Sequence, residues 1–283
     1  HKRGPEPGAV EFRAVDPATD AQHYWIRLVQ AERSGRPVGV RARREGGGVV
    51  RIDTENLRSF ATTLSGAART YVIDDQVVRA PANATFLRTA LGWSAGVPRR
   101  GEKSAARCGP FKRAFANRFV FVYGEGDGEA LARARYDQQV WWYRGNGDAA
   151  VITDEQFLAG NYADRNVILY GNRSTNRAFT AVLPKSCPLD VQQGRLRLGK
   201  REWEGNNLAC LLVYPRKGEP HSLVGVFGAT GVTGLRLGYS LLTYVAGVGY
   251  PDYVVYDQTV LEKGADGVAA AGWFNRRWRL ARE

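Results

Sequence analysis

The chain contains no methionine, and among its 283 residues there are only three cysteines and three histidines. The shortage of histidine bears first on chemistry. His1, His23 and His221 are all the imidazoles there are, the latter two in segments that read as loop or strand start, so a complete Ser-His-Asp constellation is disfavoured. No G-x-S-x-G elbow occurs, and Ser65 and Ser240 lack the flanking glycine pair. H-E-x-x-H, paired-cysteine and phosphate-loop patterns are missing too. Cys108, Cys187 and Cys210 have no metal-ligand spacing and allow at most one disulfide. Cys187 and Cys210 bracket an expected hairpin and can pair, but buried free thiols are the favoured state. An amino-terminal histidine can chelate copper through its amine and imidazole if a partner histidine is near; His1 is read instead as a chain end. A chain that starts at His1 and contains no methionine is expected to be a processed or excised piece of a longer precursor. No apolar run has the length that a bilayer crossing requires, and no signal-peptide pattern opens the sequence.

What is abundant is positive charge. Forty Lys+Arg against 28 Asp+Glu give a formal charge of +12, which favours acidic partners such as nucleic acid, acidic polysaccharide or anionic lipid. The arginines are nevertheless scattered, with the densest groups at Arg41, Arg43, Arg44 and at Arg276, Arg277, Arg279. No basic stripe interleaves with aromatics, so nucleic acid is disfavoured as a partner and a solvated arginine-rich surface preferred.

The length suffices for two domains, and 44% hydrophobic residues can fill a core in each. Residues 1–8 are polar and rich in Pro and Gly, as a tail would be. Over 9–91, short alternating segments such as Arg51-Ile52-Asp53-Thr54 and Thr70-Tyr71-Val72-Ile73-Asp74, with turns at Gly46-Gly47-Gly48 and Asp74-Asp75, predict a sandwich-like β-rich domain. Residues 92–109 lose all periodicity and read as a linker. From 110 to 283, apolar strands alternate with helical patterns, which predicts a Rossmann-like or flavodoxin-like α/β domain with a mainly parallel sheet. The chain is thus expected to be a two-domain α+β protein. Within the second domain a helix is expected at Glu129–Tyr143, with Leu131, Tyr136, Val140 and Tyr143 on one face, and a short one at Thr175–Leu183. Gly194 and Gly199 should break an alternating stretch into a hairpin.

The organising stretch is Ser222–Tyr244, read as strand, glycine loop and long helix. FVFVYG at 119–124 and NVILYG at 166–171 repeat its opening, so three strands should end on one sheet edge. Ligands of doubly wound sheets sit at that edge, which nominates Gly124, Gly171, Asn172, Thr175 and Asn176 as a ligand crevice. Asn172, Ser174 and Thr175 also suit helix capping. Gly228, Thr230, Gly231 and Gly234 match the spacing of one class of dinucleotide loops, so the expectation is no cofactor, with NAD(P) as the alternative that the pattern admits. The loop comes late in its domain for that role, and tight helix-to-sheet packing by glycine is the competing reading. Asp252 and Asp257 are either ribose ligands or strand ends. Trp141-Trp142-Tyr143 is either interdomain packing or a sugar-stacking platform.

The runs GPFKRAFANRFVFVYG, ARYDQQVWWYRGNG, DRNVILYGNRSTN and GVGYPDYVVYD together resemble the C-terminal region of large secreted bacterial α/β-hydrolases of the prolyl oligopeptidase-like, esterase or peptidase type. The resemblance covers nearly the whole chain and implies a β-rich module followed by a Rossmann-like one. It also implies secretion or a periplasmic location, and a partner in the catalytic hydrolase portion, whose nucleophile this sequence lacks. The expected function is an accessory, non-catalytic segment. The alternatives are a nucleotide-dependent enzyme using residues 228–234 and a carbohydrate- or polyanion-binding module.

Overall fold

The structure, a computed structural model, describes residues 6–281; His1 and the copper reading attached to it lie outside them. The chain is a mixed α+β protein with several sheets, and it divides into two compact units, 1–108 and 109–283.

In the first unit, strands β1 (Ala9–Ala14), β4 (Val38–Arg44), β5 (Val49–Glu55), β7 (Arg69–Ile73) and β8 (Gln76–Ala80) form one sheet. A second contains β2 (Gln22–His23), β3 (Ile26–Ala31), β6 (Leu57–Thr62), β9 (Thr85–Thr89) and β10 (Gly92–Ala95). Alternation decides which side chains go inward. Val10, Phe12 and Ala14 of β1 and Val50 and Ile52 of β5 share one core with Leu28, Phe60 and Phe86 of the other sheet. Asp74 and Asp75 both adopt positive φ, 44° and 65°, as a tight hairpin turn requires. Asp74 then accepts hydrogen bonds from the Thr54 amide (2.8 Å), the Thr54 hydroxyl (2.7 Å) and the Trp93 indole (2.9 Å). Gly92–Ala95, expected in the linker, pair with β9 as an edge strand. At the start of the chain, the Pro7 carbonyl accepts the Trp25 indole N–H at 3.0 Å, which ties down residues expected to be tail.

The second unit contains β11 (Phe119–Tyr123), α1 (Gly128–Gly145), β12 (Val151–Thr153), α2 (Asp154–Ala159), β13 (Asn166–Gly171) and α3 (Ala178–Val182). A three-stranded antiparallel sheet follows, β14 (Leu189–Gln192), β15 (Arg195–Leu198) and β16 (Arg201–Glu204), with turns at Gly194 (φ 74°) and Gly199 (φ 62°) where a hairpin was expected. Then come β17 (Ala209–Pro215), β18 (Leu223–Ala229), α4 (Val232–Leu237), β19 (Tyr253–Tyr256), α5 (Val260–Lys263) and β20 (Val268–Gly272). The main sheet has seven strands in the order β12-β11-β13-β18-β17-β19-β20. Strands β12, β11, β13 and β18 run parallel, while β17 is antiparallel to both its neighbours and β20 to β19. The expectation of a mainly parallel sheet is thus corrected to a mixed one. Residues 216–222 join β17 to β18, and a loop that short makes a hairpin, because a parallel return needs a crossover of a dozen or more residues. The apolar runs of β11, β13, β17 and β18 are buried on both faces, as central strands must be.

Two helices depart from expectation. The predicted long helix after Gly231 is only Val232–Leu237, followed by a 3-10 turn at Gly238–Ser240 and irregular chain to residue 250. Gly238 lies so close to Arg133 that a Cβ would stand 2.5 Å from Nη1, and the Ser240 hydroxyl donates back to the Leu237 carbonyl at 2.7 Å. Both features turn the chain over α1 instead of extending the helix. Helix α1 itself forms where expected. Asp127 caps it by accepting from the Ala130 amide (3.0 Å), and Asn146 ends it in the left-handed region at φ 47°. Its buried stripe is Ala130, Arg133, Ala134 and Asp137, at spacings of three, one and three; the predicted face of Leu131, Tyr136, Val140 and Tyr143 is not the one turned inward.

Candidate functional site

Helix α1 leaves β11 to reach β12 on one side, and α2 returns to β13 on the other, so the sheet has its switch point between the carboxyl ends of β11 and β13. That edge is where a ligand of an α/β sheet sits. Strand β18 adds its own carboxyl end alongside, with Gly171 in register with Gly228, so the three strands do end together.

The crevice nominated there is filled by the chain's own loops. A Cβ on Gly124 would fall on the Thr175 carbonyl oxygen and 2.7 Å from its carbon. Asn176, 1% exposed, donates from Nδ2 to the carbonyls of Val122 and Tyr170 (both 3.1 Å), bridging β11 and β13. Asn172 donates to the Ala229 carbonyl at 3.0 Å, which joins β13 to β18. Its own Oδ1 accepts from the amides of Ser174 (2.9 Å) and Thr175 (3.2 Å), the same amides that an anion would use. Gly171, at φ +90°, faces the Thr175 hydroxyl. At the outer lip, the buried Asp154 accepts from the Glu125 amide (3.1 Å), the Arg177 amide (2.7 Å) and the Arg177 Nε (3.1 Å). Burial would raise this carboxyl, but Arg177 and the two amides outweigh it and hold Asp154 below the usual carboxylate range. All five nominated crevice residues are brought together, and the side-chain amides of Asn172 and Asn176 are spent on the backbone carbonyls of Ala229, Val122 and Tyr170.

The glycine loop has the same character. Gly234 packs against the Leu208 carbonyl, a Cβ on Gly231 would stand 2.7 Å from the Asn206 carbonyl oxygen, and one on Gly228 would stand 2.5 Å from the Cys210 sulfur. The fully buried Thr230 exchanges hydrogen bonds with Leu208, its amide donating at 3.0 Å and its hydroxyl accepting from the Leu208 amide at 3.2 Å. Gly228, Thr230, Gly231 and Gly234 therefore seat α4 on the start of β17. Gly231→Asp is expected to destabilise the protein, since its side chain would strike the Asn206 backbone, and NAD or NADP should not shift the melting temperature of the unmodified chain. A differential scanning measurement with and without dinucleotide checks this, and a nucleotide-dependent rise would restore the cofactor reading. Asp252 is buried and accepts from the Phe274 amide at 2.8 Å, and Asp257 accepts from Thr259 at 2.8 Å in a local turn; each closes a strand end.

Other candidates are accounted for in the same way. Cys187 and Cys210 are free and buried, and burial pushes the Cys187 thiol up to about 12. Arg41, Arg43 and Arg44 pair with Glu11, Glu45 and Glu6 across the surface of the first unit. Among the described residues no group of three His, Cys, Asp or Glu side chains is placed to hold a metal, and no helix is long and apolar enough to cross a membrane.

The site that sequence reasoning missed lies on α1. Arg133 and Asp137 are each 1% exposed, and Arg133 Nε donates to Asp137 Oδ2 at 2.9 Å. The Tyr170 hydroxyl donates to the same oxygen at 2.9 Å. The guanidinium carbon lies 4.9 Å from the Phe227 ring centroid and 4.7 Å from that of Tyr239. Burial pushes the Asp137 carboxyl upward, and Arg133 and Tyr170 pull it back. Oδ1 accepts nothing from the described residues and borders a groove of about 360 Å³ whose walls include Tyr136, Trp142, Tyr143, Tyr239 and Leu242. The signal available in the sequence was Ala130 and Ala134, small residues sharing the stripe with Arg133 and Asp137. Trp141, by contrast, packs on Phe115, Phe119 and Tyr244 and is wrapped by Gly145 and Gly147.

Neither a protein-family model nor a curated protein matches the chain.

Proposed function

We propose that the chain is an accessory, non-catalytic segment of a secreted or periplasmic hydrolase of the prolyl oligopeptidase-like type, packing against a catalytic portion that supplies the nucleophile. In this reading the first unit is a sandwich-like module and the second a Rossmann-like scaffold. The observation that carries it is the filled crevice. Where an α/β enzyme would keep its strand ends open for substrate, Gly124, Asn172 and Asn176 close them with the chain's own backbone. A serine hydrolase needs nucleophile, base and oxyanion donors converging on a space for the reacting atom. Here Ser174 Oγ accepts the Gln193 amide at 3.2 Å and Ser240 Oγ donates to the Leu237 carbonyl, so both hydroxyls serve the fold.

The test is active-site labelling. Isolated 1–283 should not react with a fluorophosphonate probe beyond a denatured control, whereas a serine on a companion chain should be labelled in the native assembly. Stoichiometric labelling of a serine within 1–283 would overturn the proposal.

A further inference from the structure

The groove over α1 has a composition that neither packing nor the accessory role requires. Its walls are aromatic and open to solvent, with Trp142 65% and Tyr143 76% exposed, and Tyr136 and Tyr239 meet edge to face at 5.0 Å. Its floor is polar and buried. Asp137 offers Oδ1, and Thr243, 2% exposed, has a hydroxyl with no partner among the described residues. A buried hydroxyl left without a hydrogen bond is costly unless something supplies one. All these residues belong to the second unit.

The charge at the floor selects the occupant. Arg133 neutralises Asp137 at 2.9 Å and Arg144 also lines the groove, so a cation drawn to the carboxylate would meet two guanidinium groups, and an anion drawn to either guanidinium would meet the carboxylate at the floor. A neutral molecule avoids both penalties. It must present an apolar face to the rings and hydroxyls to the floor, one donating to Asp137 Oδ1 and one accepting from or donating to Thr243 Oγ1. The volume falls in the range of small-molecule sites, roughly 300–1,000 Å³. We propose that this groove binds a neutral sugar ring, stacked by its C–H face on the Trp142, Tyr143 and Tyr239 side of the groove, with its hydroxyls on Asp137 and Thr243.

The proposal stands apart from the accessory reading, because labelling of a serine would leave it untouched. The test is saturation-transfer NMR on the 1–283 chain with the methyl glycosides of glucose, galactose, mannose, xylose and N-acetylglucosamine, and with choline and inorganic phosphate as charged comparisons. At least one glycoside should bind with millimolar affinity, and Trp142→Ala and Thr243→Val should each weaken it about tenfold or more. Trp142 is exposed and Val matches Thr in shape, so both variants keep the fold, which circular dichroism verifies. Binding of none of the glycosides, tighter binding of choline or phosphate than of every glycoside, or glycoside binding indifferent to both substitutions would each overturn it.

Discussion

Asp137→Ala is expected to lower the unfolding free energy by about 3–5 kcal/mol, because removing one member of a buried ion pair strands the other charge away from water. Arg133 would remain 1% exposed on the inner stripe of α1 with its Nε bond lost and its Nη1 already without a partner among the described residues. The Tyr170 hydroxyl would lose its acceptor as well. Tyr170→Phe removes one hydrogen bond but leaves the ion pair, so it should cost only about 1 kcal/mol. The double change Arg133→Met with Asp137→Leu should recover most of the loss, since apolar residues of similar volume replace buried pairs at little cost. Urea denaturation followed by circular dichroism measures all three. A cost below about 1 kcal/mol for Asp137→Ala would mean that water reaches the pair, contrary to its burial.

The same pair shows where the sequence was readable and where it was not. The extent of helix α1 was legible from the helical period over Glu129–Tyr143, and the structure adds the local signals that bound it, an aspartate cap and a left-handed asparagine stop. Its inward face was not, since hydrophobic periodicity assigns Tyr136 and Tyr143 to the core and an arginine to solvent. Only the long-range approach of Tyr170, Phe227 and Gly238 makes the Arg133 position inner. The glycine turns at Gly194 and Gly199 were legible for the local reason that positive φ demands them. The direction of β17 was not read from the strands, although the shortness of residues 216–222 contained it. In the loops, the residues nominated from sequence do converge at one edge. What the pattern could not reveal is that Asn172 and Asn176 turn their amides onto backbone carbonyls 57 and 54 residues away and close the space between them.

That closure gives the second large effect, for Gly124→Ala should destabilise the protein by about 3 kcal/mol, at the upper end of what overpacking costs. The added methyl would collide with the Thr175 carbonyl oxygen and stand 3.3 Å from the Asn176 Cα. Both are backbone atoms, so no rotamer change relieves the clash. If residues 175–176 moved instead, Asn176 would pull its amide from the Val122 and Tyr170 carbonyls, and the bridge between β11 and β13 would open. Gly128→Ala, four residues on, is the control: a Cβ there meets nothing within 4 Å and sits at the first turn of α1. It should be neutral or stabilising by about 0.4–1 kcal/mol, through the reduced freedom of the unfolded chain. The contrast between the two glycines in one denaturation series isolates loop closure from helix propensity. If Gly124→Ala proved as harmless as Gly128→Ala, the strand ends would have room between them, and the crevice would again be a place for a ligand.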